Sequence, residues 1–473
     1  MVSRGAGVGR SEAPLTLPAR IHCVGVGGGG LAPLACLLAA RGHRLSGSDL
    51  VGAKAELTDA GVSVARGHDA AHLGDAELVI RSAAVPEDNP EVAAAHDRGL
   101  PVLKYSEALG RLMTGRRGIA LAGTHGKTTS TALVAHLLRE VGADPSWIVG
   151  GEPVGLPAWG AGASDLVVVE ACEYDHSFLS LEYHVAVVTG VSPYHLGCFG
   201  DAAGVRGAFA AFAARVAPGG RLVLGPEVDA DFPPPPGVDA VRVDDALPLT
   251  DLREDADGFA GTLVDTEVAG GRAHAFRLPV LGRHNVDHLR TALVACRAVG
   301  APLEALLEAA ASFGGVRRRL EDLGETTRFG TTAAGHGVRV VDDFAHHPEA
   351  LRAGAAACRA RFPGRRLVGV FQPHQVSRTE DFLDGFREAL GHFDRVDLCD
   401  IFVARDSRPE RADDVASRLA AGAGAHVRRV GPAPEAAAEV AARLSPGDVC
   451  VVMGAGDVDG LAREVTGGAA RPA

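Results

Sequence analysis

The chain has no run of about 18 apolar residues, the length a helix needs to cross a bilayer, and no membrane partner is expected. Its first residues lack a basic stretch leading into an apolar one, so no secretory signal is expected either. None of the eight cysteines (Cys23, Cys36, Cys172, Cys198, Cys296, Cys358, Cys399, Cys450) forms a CxxC pair. That spacing offers neither a zinc ribbon nor a disulfide framework, and a reducing cytoplasm is the expected location. Basic residues are in deficit: 47 Lys and Arg stand against 59 Asp and Glu, a net charge of −12. A polyanion needs a basic face, so nucleic acid is excluded as a partner and any polyphosphate must be met by a local device. Lys, Asn and Ile are scarce beside Ala, Gly, Arg and Pro, a bias that implies no function. What remains is ordinary globular composition, 47% hydrophobic and 22% charged over 473 residues, room for roughly three domains at about 150 residues each.

The local device is Gly118-Ile-Ala-Leu-Ala-Gly-Thr-His-Gly-Lys-Thr-Thr-Ser130. Residues 119–122 read as a buried strand, and Leu133, Val134, Leu137, Leu138 and Val141 fall on one face of a helix starting near Thr128. The turn between them aims backbone N–H groups and the positive end of a helix dipole at one point, which suits an anion. Gly123 and Gly126 let the backbone approach phosphate oxygens, Lys127 supplies a mobile charge, and the Thr128 hydroxyl can ligate Mg²⁺. The common phosphate-loop pattern has glycine where this chain has Leu121, so Gly123, Thr124, His125, Gly126, Lys127, Thr128 and Thr129 form a shortened variant.

Residues 1–19 lack periodicity and are expected to be a disordered lead-in. From Arg20, a strand runs into Gly25, Gly27, Gly28, Gly29 and Gly30, a helix follows over 31–40, and Ser48-Asp49 ends a second strand about 20 residues beyond the glycines. Further strands at 76–80 and 100–103 complete a parallel-sheet domain over 20–117. A central unit over 118–315 has strands at 165–170 and 184–189, ending in Glu170 and leading to His195. Ligands of open α/β sheets gather at strand carboxyl ends, so both can lie beside the phosphate loop, where a carboxylate would hold Mg²⁺. The stretch 225–250, with Pro233 to Pro236, shows no usable periodicity and is expected to be a surface excursion. Gly282-Arg-His284-Asn285 opens the last helix of this unit. A third unit over 316–473 has strands at 338–342, 366–371, 395–399 and 449–453, with polar clusters at their ends. Adjacent His346 and His347 on an extended segment point to opposite sides, so at most one faces a site, and a zinc site is not expected.

Taken together, HCVGVGGGG (22–30), SGSD (46–49), AGTHGKTT (122–129), EACEYDHSFL (170–179), GRHN (282–285), FGGVRRRLE (313–321), DDFAHHP (342–348), FQPHQVSR (371–378) and MGAGD (453–457) resemble the Mur ligases, over residues 20–460. Within that family the similarity is strongest to members joining L-alanine to UDP-N-acetylmuramate in peptidoglycan synthesis. The resemblance implies an α/β fold of three domains on mainly parallel sheets: a Rossmann-like domain for the UDP-sugar, a central ATPase-like domain and a C-terminal Rossmann-like domain. It implies ATP and Mg²⁺ as cofactors. The sugar's lactyl carboxylate would attack the γ-phosphorus and the resulting acyl phosphate would be captured by the amine of L-alanine. Gly25, Gly27, Gly28, Gly29, Gly30, Ser48 and Asp49 would serve the UDP-sugar, and Lys127 and Glu170 the phosphoryl transfer. Thr128, Glu170 and His195 would hold metal. His284 and Asn285 would lie near adenine, Arg319 near the phosphates, Asp343 at the ribose, and His346 and Arg378 would face the amino acid. The chain departs from the family's TNxxxDHxD pattern at Gly190, Tyr194 and Gly197, has His288 for the second Asn of HNxxN, and Gln375 where many members have Arg. Three readings therefore stay open: an L-alanine ligase, a divergent paralogue with another amino acid or acceptor, and a regulatory nucleotide-binding pseudoenzyme. A monomer or a homodimer is expected.

Overall fold

The computed structural model describes residues 17–192, 199–404, 406 and 408–467; most of the expected lead-in lies outside them. The chain packs as two compact units, one of residues up to Gly150 with Ala158–Val243 and Val294–Ala301, the other of Gly151–Pro157, Asp244–Leu293 and Pro302 onward.

The first unit contains two sheets. In one, β1 (Arg20–Val24), β2 (Arg44–Asp49), β3 (Ser63–Arg66), β4 (Leu78–Arg81) and β5 (Val102–Lys104) run parallel in the order β3-β2-β1-β4-β5. Helices α1 (Leu31–Ala40), α2 (Ala55–Asp59) and α3 (Pro90–Asp97) lie in the connections between them, and α4 (Tyr105–Met113) leads out of β5. Central parallel strands are covered on both faces and read as continuous apolar runs, as Leu78, Val79 and Ile80 do here, all buried.

The other sheet is built from β6 (Arg117–Ala122), β7 (Ser146–Ile148), β8 (Trp159–Gly160), β9 (Leu166–Glu170), β10 (Tyr183–Gly190), β11 (Val216–Glu227) and β12 (Asp239–Arg242), in the order β12-β11-β10-β6-β9-β7-β8. Only β7 and β8 pair antiparallel. The helix α5 (Lys127–Glu140) follows β6. One apolar core runs through both sheets, joining Leu109, Leu112 and Met113 of α4 to Phe178, Leu181 and Tyr183. α4 meets the 178–181 segment backbone to backbone: a Cβ at Gly110 would stand 2.1 Å from the Ser180 carbonyl oxygen.

The second unit has a three-stranded antiparallel sheet of β13 (Leu249–Asp255), β14 (Gly258–Asp265) and β15 (Arg272–Leu278). Phe259, Leu263 and Asp265 of β14 are buried on one face, the alternation of a half-covered strand. A six-stranded sheet follows, of β16 (Glu321–Thr326), β17 (Val338–Asp343), β18 (Leu367–Phe371), β19 (Arg395–Cys399), β20 (Val427–Gly431) and β21 (Val449–Met453), in the order β16-β17-β21-β18-β19-β20. β16 is its one antiparallel member, on the edge.

Two expectations need correction. The stretch 225–250 is not one excursion, because β11 reaches Glu227, β12 covers Asp239–Arg242 and β13 begins at Leu249. Short strands broken by Pro and Gly leave too few positions to show a period. The helix His284–Arg297 is also not the last before the third strand set, since Leu303–Ala310 follows it.

Candidate active site

The phosphate loop joins the end of β6, in the middle of its sheet, to α5. Gly123 has φ +147°, and a Cβ there would lie 1.9 Å from Thr189 Oγ1, so only glycine fits. Gly126, at φ +78°, turns the chain into α5, whose first turn carries no acidic residue to blunt its positive end. The loop is stitched to the end of β10. The Thr189 hydroxyl donates to the His125 carbonyl (2.5 Å), and the Thr124 N–H donates to the Gly190 carbonyl (3.0 Å). The Thr124 hydroxyl donates to Ser192 O (3.2 Å) and accepts from Ser192 N–H (2.9 Å). Thr128 and Thr129 lie in the first turn of the helix, both buried.

Lys127 Nζ donates to the Gly123 carbonyl (2.6 Å) and to Glu173 (3.1 Å to Oε1, 2.9 Å to Oε2). Burial works against the ammonium, but the negative charges of Glu173 and then Glu170 outweigh it, and the lysine pKa lies above its usual value. Glu170, at the end of β9, accepts the Gly150 N–H at 2.9 Å. Sequence alone points to Glu170. The Lys127 partner is Glu173, 3% exposed, three residues on in the same motif. An acidic residue beyond the strand end was the available signal, but which carboxylate returns to the lysine depends on the path of the chain after β9. His195, with Tyr194 and Gly197, lies outside the described residues.

In the first sheet the glycine-rich turn is held from below. Gly25 N–H donates to Ser48 O (2.8 Å), and Asp49 accepts from Gly27 N–H (2.9 Å) and Val51 N–H (3.1 Å). Gly28 and Gly30 are half-buried and Gly29 is exposed, leaving the outer side of the turn open. Ser48 departs from the expectation that it touches the sugar: it is 0% exposed, its hydroxyl donates to Glu91, and it bonds His68 Nδ1 at 3.0 Å. Glu91 is a buried carboxylate that also meets His72 Nδ1 (2.8 Å), Asp69 N–H (3.1 Å) and His22 Nε2 (3.6 Å). Burial alone would raise its pKa, but these bonds win and hold it down to about 2. The knot fastens β1, β2 and α3 beneath the turn.

The second unit gathers its predicted residues at the carboxyl ends of β17 and β18. The Arg319 guanidinium stacks on the Phe344 ring at 4.6 Å, and Arg318 lies on the same ring at 5.2 Å. Asp343 accepts the Leu320 N–H (3.4 Å); burial pushes its pKa up to about 6, against the pull of Arg319. His346 Nδ1 lies 2.8 Å from the Phe344 carbonyl, its ring 6.1 Å from that of His374, and Arg378 Nη1 is 3.4 Å from His374 Nδ1. Burial, then the Arg378 charge, pushes His346 down to about 3. His347 turns elsewhere, edge-on to Phe382 at 4.7 Å, so the two histidines part as their extended backbone requires. Asn285, expected at adenine, donates its amide to Leu281 O (2.6 Å), while burial lowers the pKa of His284.

Three family models match in succession: the Mur ligase family catalytic domain over 20–117, the Mur ligase middle domain over 121–296 and the Mur ligase glutamate ligase domain over 327–456. UDP-N-acetylmuramate--L-alanine ligase of Kineococcus radiotolerans is 41% identical over 94% of this chain and 95% of its own. The chain belongs to the Mur ligase family. The enzyme of the same name from Symbiobacterium thermophilum is 39% identical over 94% of this chain and 93% of its own. Among solved structures, UDP-N-acetylmuramate-alanine ligase from Thermotoga maritima superposes with TM-score 0.77 at 24% identity, covering 94% of this chain and 98% of that one. A murein peptide ligase from Psychrobacter arcticus gives 0.71 at 21%, covering 95% and 98%. These two show the fold: three Mur ligase domains on mainly parallel sheets. The family departures have local counterparts. A Cβ at Gly190 would lie 3.0 Å from Glu227 Cβ, and His288 packs at 5.6 Å from the His284 ring. Gln375 holds φ +71° and donates its N–H to Phe402 O (2.9 Å).

Proposed function

We propose that this Mur ligase joins L-alanine to the lactyl carboxylate of UDP-N-acetylmuramate, coupled to conversion of ATP to ADP and phosphate, as a step of peptidoglycan precursor synthesis in the cytoplasm. The observation that carries the reading is the Lys127 loop beside the Glu170 and Glu173 carboxylates, in a chain 41% identical to an L-alanine ligase over 94% of its length. Phosphoryl transfer asks a protein for positioning and charge neutralisation more than for covalent chemistry. The loop N–H groups and Lys127 supply both. A carboxylate oxygen bonds to the γ-phosphorus as ADP leaves. The amine nitrogen then bonds to the acyl carbon, phosphate departs with the bridging oxygen, and the amine sheds a proton.

The Thr128 hydroxyl and Glu170 carboxylate are hard oxygen donors at the start of α5 and the end of β9, a donor set that fits Mg²⁺. Mg²⁺ held there would offset phosphate charge, and the resemblance assigns His195 to a second Mg²⁺. Arg319, Asp343, His284 and Asn285 keep the nucleotide assignment drawn from the resemblance. Arg378 and His346 are assigned to the amino acid, since a planar guanidinium binds a carboxylate through two parallel bonds. A neutral imidazole beside it adds no competing anion.

The test is phosphate release from MgATP with UDP-N-acetylmuramate present. L-Alanine should stimulate it, and Lys127→Ala should abolish it while calorimetric binding of the UDP-sugar persists. Stimulation only by another amino acid would make the chain a divergent ligase. No stimulation by any would leave a nucleotide-binding protein without this activity.

A further inference from the structure

Tyr105 stands where the two halves of the first unit's chemistry meet. It is the first residue of α4, directly after β5, at the carboxyl end of the first sheet. Open α/β sheets bind ligands at that end. On one side its ring lies on the glycine-rich turn: three ring carbons are 3.3–3.6 Å from where a Cβ of Gly30 would stand. On the other side α4 is tied to the segment after β9, through Lys104 Nζ to Asp175 at 2.8 Å and the close backbone approach at Gly110. That segment begins at Glu170 and carries Glu173, the Lys127 partner. The half-buried phenol therefore lies on the turn expected to hold the sugar nucleotide, near enough to Glu170, beside the phosphate loop, to feel its charge.

A carboxylate delivered from the turn to a phosphate held at Lys127 has to cross this interval. We infer that the Tyr105 hydroxyl is a substrate-positioning group of the ligase reaction, donating a hydrogen bond to the acceptor's reacting carboxylate. The inference rests on the proposed ligase reading. A neutral donor is what the place requires, because Glu170 and Glu173 would otherwise repel an incoming anion. The electrostatics agree: burial, then the nearby Glu170 and Cys172, raise the phenol pKa above the usual tyrosine value, so the proton stays on. No bond to Tyr105 forms or breaks, and the phenol keeps its proton throughout.

Tyr105→Phe removes the donor and keeps the ring on Gly30. In L-alanine-dependent phosphate release, kcat/KM for UDP-N-acetylmuramate should fall about 10- to 100-fold, the range for losing a hydrogen bond to a charged group. KM for MgATP and for L-alanine should stay within about two-fold, and the melting temperature should match the parent. Tyr105→Ala should do no worse on kcat/KM than Phe by more than its loss of stability explains. Parent-like kinetics for Tyr105→Phe, or KM values for MgATP and L-alanine raised as far as that for UDP-N-acetylmuramate, would reduce Tyr105 to packing and overturn the inference. Failure of the parent chain to respond to L-alanine would instead sink the ligase reading.

Discussion

Gly123→Ala puts a methyl group where the loop is closest to β10. The new Cβ would stand 1.9 Å from Thr189 Oγ1 and 3.1 Å from Thr189 Cβ and N, at φ +147°. Crowding of this kind costs about 1–3 kcal/mol, and the backbone conformation a further 1–3 kcal/mol or so for any side chain. Swinging Thr189 aside also gives up its bond to the His125 carbonyl, worth about 1 kcal/mol. The sum is roughly 3–7 kcal/mol, and at about 2–4 °C per kcal/mol for a domain of 150–250 residues even its lower end lowers Tm by about 6 °C or more. Thr189→Ala alone should cost only about 1–2 kcal/mol, for the one hydroxyl proton shared between the His125 and Ala122 carbonyls. In Gly123→Ala/Thr189→Ala the 1.9 Å contact is gone and the 3.1 Å contacts remain. The pair should therefore be less destabilised than the sum of the singles, by about 1–3 kcal/mol in urea or thermal melts. Turnover should not return with stability, because the His125 carbonyl has lost its anchor. Additivity within about 0.5 kcal/mol would refute the claim that Thr189 is what demands glycine at 123.

Glu173→Ala breaks an ion pair whose side chains are 4% and 15% exposed. Removing one partner of a buried pair costs about 3–5 kcal/mol, and Lys127 keeps its bond to Gly123 O, so about 2–3 kcal/mol is expected in urea melts. A change under about 0.5 kcal/mol would show that Glu173 does not hold the lysine. The second unit should show opposed pH terms. Asp342 and Asp343 have pKa values raised by burial to about 7 and about 6, so the folded state holds protons that the unfolded state releases, and stability falls as pH rises from about 4 to 7. His346 and His374 are lowered to about 3 and about 4, and their term rises over roughly pH 3 to 6.5. Asp342→Asn should leave the histidine term less compensated and steepen the rise between pH 4 and 6.5 in melts taken across that range. NMR should find the His346 ring neutral above about pH 5; a midpoint near 6.5 would overturn both statements.

How much of this was legible beforehand follows from the range of each interaction. The phosphate loop could be read because everything that defines it is local: an apolar strand, glycines at two forced backbone positions, then a helix beginning at Lys127. The strand 449–453 was equally plain, as the continuous apolar run of a buried parallel strand. Ser48 could not be read, because its inward turn depends on Glu91, 43 residues away. Glu173 was hidden for the same reason, 46 residues from Lys127, while Glu170 at the strand end was the local choice. The antiparallel sheet of β13 to β15 was missed where Gly and charged residues interrupt the alternation.

The pattern in those misses bears on mechanism. Residues carrying phosphate chemistry announce themselves because a loop must shape itself around an anion with its own backbone. Residues that reach a site across the fold are recruited from distant segments, and their types are ordinary, as a tyrosine opening a helix is. Tyr105 belongs to that second set, brought to Gly30 by the parallel order β1-β4-β5 and to Glu170 by the packing of α4 on the 178–181 segment. Differences in acceptor choice among Mur ligases should therefore be sought in residues placed by sheet order, with the phosphate loop left unchanged.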